Sequence, residues 1–300
     1  MIVVDRIREV REHCDRARAQ GQSVGLVPTM GYFHAGHRSL MRAARAENDL
    51  VVVTLFVNPT QFAPDEDLSR YPRDLEGDRA AAELEGVDVL FTPPVEEMYP
   101  DGPPRTKVHV AGLTEGMCGV GRPTHFDGVT TVVAKLFSIV GPCTAYFGRK
   151  DYQQVAVITQ MARDLDLPVK VVGRPLVREP DGLAMSSRNA YLGDAERSAA
   201  LVLHRSLRAA AEAVVDGERD ATRLSDGVRA AIDDVHLVQL EYIEARDART
   251  LEPVERITDD TVLALAAQVR KTRLIDNVVL HTTESAIEVD MGMVMHEELS

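Results

Sequence analysis

The chain has 300 residues, of which 45% are hydrophobic and 27% charged, and its formal net charge is −13. This length predicts two domains, and the composition is that of an ordinary globular protein. The acidic balance argues against a large nucleic-acid surface, because phosphate backbones bind to basic faces, but it leaves room for a local basic pocket.

Cys14, Cys118 and Cys143 are odd in number and widely spaced, so neither a disulfide framework nor a cysteine zinc site is expected. Charged residues begin at Asp5, too early for a signal peptide, and no apolar run is long enough to cross a bilayer. A cytoplasmic location, without membrane or nucleic-acid partners, is predicted.

Residues 1–175 alternate short apolar runs with longer amphipathic ones. The apolar runs predict strands at 23–28, 50–57, 87–92, 144–148 and 169–173. Helical periodicity predicts helices at 36–47, 74–85, 127–140 and 152–165. Near-continuous Val, Leu and Phe runs are typical of strands covered on both faces. The alternation predicts an α/β fold with a Rossmann-like, doubly wound parallel sheet, which binds ligands beyond the carboxyl ends of its strands.

The composition changes after Gly173. An irregular stretch at 174–193 precedes a helix at 195–215, with Asp194 as its expected N-cap, and a second helix at 220–234. Three strand-like runs, "VQLEYIEARD", "TVLALAAQV" and "RLIDNVVL", follow. This order predicts a smaller C-terminal α+β lid domain over 176–285. No structure is predicted for the tail, 286–300.

The stretch "VPTMGYFHAGH" (27–37) joins a predicted strand to a predicted helix. Gly31 permits a tight turn, and Gly36 lets another group approach the backbone. The helix has no Ser, Thr, Asp or Asn cap, so its free N–H groups and its dipole favour an anion. His34 and His37 project from one side of the first turn and can donate to phosphate oxygens. Packing at the helix start, or a zinc pair completed by His125, are the alternatives.

The stretch "GRKDYQQ" (148–154) ends another strand at the same edge of the sheet. Lys150 is a compact cation suited to a β- or γ-phosphate, although a lone lysine is more often a solvated surface residue. Asp151 and Gln154 have the spacing of a capping box, which would make Gln154 less available to a substrate.

Two further motifs lie in irregular segments. "LAMSSRN" offers the hydroxyls of Ser186 and Ser187 and the guanidinium of Arg188 to a polyphosphate. "FVNPTQF" breaks a strand at its proline and presents the amides of Asn58 and Gln61, although Asn-Pro is also ordinary turn chemistry. The proline-rich loops 58–74 and 93–105 are long enough to be lids or binding loops.

Together these motifs resemble one family, the pantothenate synthetases of the nucleotidyltransferase superfamily. The resemblance covers about residues 1 to 280, and several motifs in order are far more specific than any one of them. It rests on "PTMGYFHAGH", "FVNPTQF", "RPTHFDGVTTVVAKLF", "FGRKDYQQ", "DGLAMSSRN" and "RLIDN". It implies an ATP-dependent ligase that joins pantoate to β-alanine through a pantoyl adenylate and releases AMP and pyrophosphate.

The resemblance also implies roles for individual residues. Those implied to bind ATP are Met30, Gly31, His34, Gly36, His37, Gly148, Arg149, Lys150, Asp151, Val177, Met185, Ser186, Ser187 and Arg188. Those implied to be catalytic are His37, as proton donor, with His34, Lys150 and Arg188. Those implied to bind pantoate are Gln61 and Gln154, helped by Asn58 and Arg122. Mg²⁺ is implied near Asp78, within an acidic segment where Gly77 replaces a residue that is often acidic, and a homodimer is implied.

The sequence departs from the family at Arg149, where glutamate is usual, and at Thr60, where methionine is usual. Arg149 adds positive charge beside Lys150, and Thr60 loosens the expected pantoate pocket. A nucleotidyltransferase acting on another small carboxylate or phosphate is the main alternative function. An aminoacyl-tRNA synthetase and a nucleotide-binding module without catalysis are the others.

Overall fold

A six-stranded, wholly parallel sheet organises the first half of the computed structural model, which describes residues 1–64, 66–283 and 286–295. Its strands are β1 (Ile2–Val4), β2 (Val24–Thr29), β3 (Leu50–Leu55), β4 (Val89–Phe91), β5 (Cys143–Gly148) and β6 (Val169–Arg174). Their order across the sheet is β1-β4-β3-β2-β5-β6. The chain therefore leaves β2 in one direction and resumes on its other side at β5, which is the switch point where such sheets bind ligands.

Helices cover both faces of this sheet. They are α1 (Ile7–Ala19), α2 (Ala35–Glu47), α3 (Leu75–Leu84), α4 (Val95–Met98), α5 (Cys118–Gly121), α6 (His125–Val140) and α7 (Tyr152–Asp164). Helices α1, α6 and α7 pack with Leu26 and Val52 on one face of the sheet. Helices α2 and α3 pack with Val27, Val51 and Val53 on the other face. Because alternate residues of each strand enter different cores, the strands are apolar throughout, as their sequences predicted.

The second half contains an antiparallel sheet and two helices. Its elements are β7 (Val177–Arg178), α8 (Asp194–Val215), α9 (Ala221–Asp233), β8 (Val238–Asp247), β9 (Thr261–Val269), β10 (Thr272–Thr282), β11 (Ile287–Asp290) and β12 (Met293–Val294). The four-stranded sheet has the order β11-β10-β9-β8, and β12 returns to pair with β7. The predicted class, a doubly wound α/β sheet with a smaller α+β part, is confirmed. None of the helices in the described residues is long and apolar enough to cross a membrane.

Several local predictions need correction. The N-cap of α8 is Gly193, not Asp194, and its amide donates to the Glu196 carboxylate at 2.9 Å. Asp194 stands in the first helical turn, where negative charge complements the helix dipole. The loop predicted at 93–105 contains α4, which begins after Pro94. The tail 286–300, for which nothing was predicted, contributes β11 and β12, and residues 296–300 lie outside the described residues.

The first strand and helix were not predicted. The helix α1 buries only Val10, Cys14 and Ala17 among many charged residues, so its apolar stripe is narrow. The strand β1 has three residues, and its place in the sheet depends on pairing with β4, far along the chain. Local periodicity is weak for elements of this kind.

Candidate active site

A cleft opens at the carboxyl ends of β2 and β5, and it brings together all four motifs. Of the residues predicted to bind ATP or pantoate, its lining includes Met30, His34, Gly36, His37, Asn58, Gln61, Arg122, Gly148, Lys150, Asp151, Gln154, Val177, Met185, Ser186, Ser187 and Arg188. The structure thus places residues from both halves of the chain around one space. Gly31, Asp78 and Arg149 do not form part of this lining.

Gly31 and Asp78 build the turn that follows β2. Gly31 has φ +84°, and a Cβ added there would lie 2.9 Å from the Asp78 carboxylate. The two carboxylate oxygens of Asp78 accept hydrogen bonds from the backbone N–H groups of Tyr32 and Phe33, at 2.7 and 2.5 Å. Burial raises the pKa of Asp78 and outweighs these two hydrogen bonds, which act in the opposite direction. The carboxylate therefore holds the turn that presents His34.

The surroundings of Asp78 give no support to a magnesium site there, because Asp78 is not part of the cleft lining. Both of its oxygens already accept backbone hydrogen bonds, and its side chain is almost fully buried. Within the described parts of the chain, no group of three His, Cys, Asp or Glu side chains could hold a metal ion.

The two histidines cap α2, which corrects the prediction of an uncapped helix. The Nδ1 atom of His34 accepts a hydrogen bond from the Gly36 N–H at 3.2 Å. The Nδ1 atom of His37 accepts one from the His34 N–H at 3.4 Å, which completes a capping box made of histidines. The usual N-cap residues are Ser, Thr, Asp and Asn, whose side-chain oxygens accept these hydrogen bonds. The imidazole Nδ1 atom is the acceptor here instead.

Capping determines which hydrogen each histidine offers to the cleft. A neutral imidazole whose Nδ1 accepts carries its hydrogen on Nε2, so His34 and His37 are both Nε2–H donors. Burial lowers the pKa of His37 to about 4, and the Lys150 charge acts in the same direction. Burial, followed by the neighbouring His37 and Lys150, lowers the pKa of His34 well below its usual value. The helix mouth thus offers two neutral donors, with Lys150 as the cation beside them.

His125 also lines the cleft, and the sequence suggested it only as a zinc ligand. Its Nδ1 atom lies 2.9 Å from the Gln61 carbonyl oxygen, to which it donates. Burial lowers the pKa of His125 to about 4, and the charge of Arg122 adds to the effect. Tyr71 also lines the cleft and was not identified, because a tyrosine within a loop carries no local signal of function.

The low histidine pKa values predict a loss of stability in acid. In His37 and His125 the folded-state pKa is about 4 and the ordinary value is 6.5, so the unfolded chain binds more protons between these values. The free energy of unfolding, measured in urea, should therefore fall as the pH drops from about 6.5 towards about 4. A protein carrying His37→Gln and His125→Asn should lose less over that range. An identical pH dependence in the two proteins would contradict these assignments.

The turn after β5 leaves Gln154 free for a ligand. Asp151 is the N-cap residue of α7 but makes no side-chain capping hydrogen bond, so the proposed capping box does not form. Gln154 instead lines the cleft. The guanidinium of Arg149 pairs with Asp290 at 3.3 Å, so this departure from the family places its charge on β11 and not in the cleft.

Asn58 orients the other glutamine. The Asn58 Nδ2 atom donates to the Gln61 Oε1 atom at 3.0 Å and to the Gly128 carbonyl at 3.1 Å. Its Oδ1 atom accepts from the Tyr99 hydroxyl at 2.8 Å and from the Thr60 hydroxyl at 2.9 Å. With its oxygen held in this way, Gln61 donates from its Nε2 atom to the Met30 Sδ atom at 3.4 Å, and both residues line the cleft. Thr60 therefore supports Asn58 from outside the pocket lining.

Two carboxylates of the loop 58–74 pair with the two arginines of the cleft. Glu66 accepts two hydrogen bonds from Arg122, both at 2.6 Å, and Asp67 accepts two from Arg188, at 2.8 and 2.9 Å. Burial opposes ionisation of both acids, but the hydrogen bonds and charges of the arginines outweigh it and lower the pKa of each. Both arginines predicted to bind substrate anions are thus neutralised in this conformation. We call Glu66 and Asp67 the acidic pair.

Comparison with known proteins gives a consistent result. The sequence profile of the family described as Pantoate-beta-alanine ligase matches residues 2–279. The chain is 53% identical over 280 residues to the pantothenate synthetase of Geobacter sulfurreducens, covering 93% of this chain and 99% of that one. It is 52% identical over 284 residues to that of Moorella thermoacetica, covering 95% and 100%.

Solved structures agree with the sequences. The crystal structure of pantothenate synthetase from Thermus thermophilus is 47% identical, with a TM-score of 0.87, covering 92% of this chain and 98% of that chain. The pantoate-beta-alanine ligase of Francisella tularensis, solved in complex with Beta-gamma ATP and Beta-alanine, is 34% identical with a TM-score of 0.76, covering 92% and 97%. The resemblance inferred from the motifs is confirmed, and this chain belongs to the pantoate-beta-alanine ligase family.

Proposed function

We propose that this cleft joins pantoate to β-alanine in two steps, using ATP and passing through a pantoyl adenylate. The observation that carries the proposal is that two neutral histidine donors and Lys150 line the same cleft as the amides of Gln61 and Gln154. Phosphate groups require the first set and a hydroxy acid suits the second. Incubation with ATP, pantoate and β-alanine should yield pantothenate, AMP and pyrophosphate by mass spectrometry. AMP without pantothenate would indicate a different acceptor.

In the first step the pantoate carboxylate attacks the α-phosphorus of ATP and pyrophosphate departs. Negative charge grows on the phosphoryl oxygens, where the Nε2–H groups of His34 and His37 donate. Lys150 neutralises charge on the departing phosphates, and the hydroxyls of Ser186 and Ser187 add further donors. Each such preplaced donor is commonly worth about 10²–10³ in rate.

In the second step the amine of β-alanine attacks the acyl carbon of the adenylate, and AMP leaves. Gln61 and Gln154 keep the pantoyl group in place between the steps. Holding the amine and the acyl adenylate together removes much of the entropic barrier. We propose that Mg²⁺ enters as part of the substrate, bound to the phosphates of ATP, since this ion commonly keeps its waters and binds mainly through phosphates.

The ion pair between Asp67 and Arg188 should weaken the binding of ATP. Because Asp67 occupies the Arg188 guanidinium, ATP phosphates must displace a carboxylate before they reach it. Asp67→Asn should remove this competition and lower the dissociation constant for ATP by about three- to tenfold. Titration calorimetry with ATP measures it. Asp15→Asn, which alters an exposed ion pair on α1, is the control and should change nothing. Weaker binding in Asp67→Asn would mean that Asp67 helps to hold ATP.

We further propose a homodimer in the cytoplasm, with a division between domains near residue 176. The homodimer follows from the family resemblance. The free thiols of Cys14, Cys118 and Cys143 support a reducing compartment. The domain ranges 1–175 and 176–285 are supported by the separation of the parallel sheet from the antiparallel one.

A further inference from the structure

The motif "RLIDN" helped to identify the family, yet none of the steps above uses it. Its last two residues, Asp276 and Asn277, lie in β10 and are both almost fully buried. The Asn277 Nδ2 atom donates to the carbonyl oxygens of Arg149 and Lys150, each at 3.0 Å. The side-chain amide of Asn277, in the second sheet, thus holds the backbone of the turn that carries Lys150.

Asn277 is itself held by a buried ion pair. The Asp276 Oδ1 atom accepts from the Asn277 N–H at 2.7 Å, and the two carboxylate oxygens of Asp276 accept from Arg178 at 2.8 and 2.9 Å. Arg178 is fully buried and also donates to the carbonyls of Met291, Gly182 and Asn277. It follows Val177, which lines the cleft.

A buried ion pair is weak evidence for stability, because removing two charges from water costs free energy comparable with their attraction. Here the pair contacts both backbone polar groups of Asn277, because Asp276 accepts from its N–H and Arg178 donates to its carbonyl, and this fixes the position of the Asn277 backbone. Lysine has a flexible four-carbon stem, so the place of its ammonium group depends on the place of its backbone. A defined Lys150 backbone is therefore useful for phosphate binding.

We propose that Asn277 is a positioning residue for Lys150, which it fixes relative to the ATP cleft from the second sheet, with the Arg178–Asp276 pair as its support. This inference rests on the role of Lys150 in the proposed function. It gives the "RLIDN" motif a role in the reaction. Arg273, Ile275, Asp276 and Asn277 do not line the cleft itself but a smaller adjacent pocket, which shares Lys150, Ser186 and Arg188 with the cleft. The effect of removing the Asn277 amide must then depend on the presence of the Lys150 side chain.

A double-mutant cycle tests this dependence. The four proteins are the unmutated chain, Asn277→Leu, Lys150→Ala and the double variant, each assayed for exchange of labelled pyrophosphate into ATP. Asn277→Leu should lower kcat/KM for ATP by about tenfold, and Lys150→Ala by about 10²-fold. The double variant should match Lys150→Ala within about twofold, because Asn277 acts only through the lysine. If Asn277→Leu does not fold, Asn277→Ser goes through the same cycle.

Asn48→Leu is the matched control. Asn48 is also buried, and its Nδ2 atom also donates to two oxygens, those of the Ala44 carbonyl and the Tyr146 hydroxyl. Any loss it causes should be equal with and without the Lys150 side chain. A further tenfold fall in the Asn277 double variant would overturn the positioning role and leave Lys150 in place. Full exchange activity in Lys150→Ala would overturn the proposed role of the lysine itself, and the inference with it.

Discussion

Replacing His37 with alanine should slow the exchange of labelled pyrophosphate into ATP by about 10²-fold or more, because a donor to the developing phosphoryl charge is lost. The capping geometry makes this expectation specific. The Nδ1 atom of His37 accepts the His34 N–H, so the hydrogen that faces the ligand is on Nε2. His37→Gln retains an N–H donor near that place and should recover part of the rate.

The stability of His37→Ala separates catalysis from scaffolding. The His37 ring lies 4.0 Å from the His34 ring, centroid to centroid, and its capping bond holds the start of α2. A loss of about 1 kcal/mol in the free energy of unfolding is expected, as for other helix caps. A folded His37→Ala protein with near-normal exchange would assign this histidine to the scaffold alone.

Replacing Arg188 with alanine should lower kcat/KM for the overall reaction by about 10²–10³-fold, because a cation for the departing phosphates disappears. Stability should also fall, since the largely buried carboxylate of Asp67 loses its partner. Adding Asp67→Asn to Arg188→Ala removes that unpaired charge. The double variant should therefore regain stability in urea unfolding and regain no activity. Recovery of activity together with stability would show that Arg188 serves the loop and not the reaction.

The sheet and its site were readable from local sequence, whereas the network behind the site was not. Runs such as 50–55 are apolar on nearly every residue because both faces of the strand are covered, and three of the four motifs follow such strands. The pairs Glu66–Arg122 and Asp67–Arg188 join residues 56 and 121 positions apart, a separation that no local pattern records. In the sequence Glu66 and Asp67 are ordinary loop charges, and only the fold places the two arginines beside them.

Residues that position others are the hardest to predict. Asn277 lies in a strand among apolar neighbours, and only the fold brings its amide to the carbonyls after β5. The histidine caps do not follow the rule for short polar side chains, and Asp78 was assigned to magnesium through the family resemblance alone. In each case the sequence shows the residue type but not the group that the residue contacts.

Pyrophosphate exchange in the unmutated protein tests the two-step mechanism most directly. With ATP, pantoate and labelled pyrophosphate present and β-alanine absent, a reversible adenylation returns label to ATP. The mechanism proposed here predicts exchange that depends on pantoate. If label enters ATP only after β-alanine is added, or does not enter at all, the pantoyl adenylate is not formed as a separate first step.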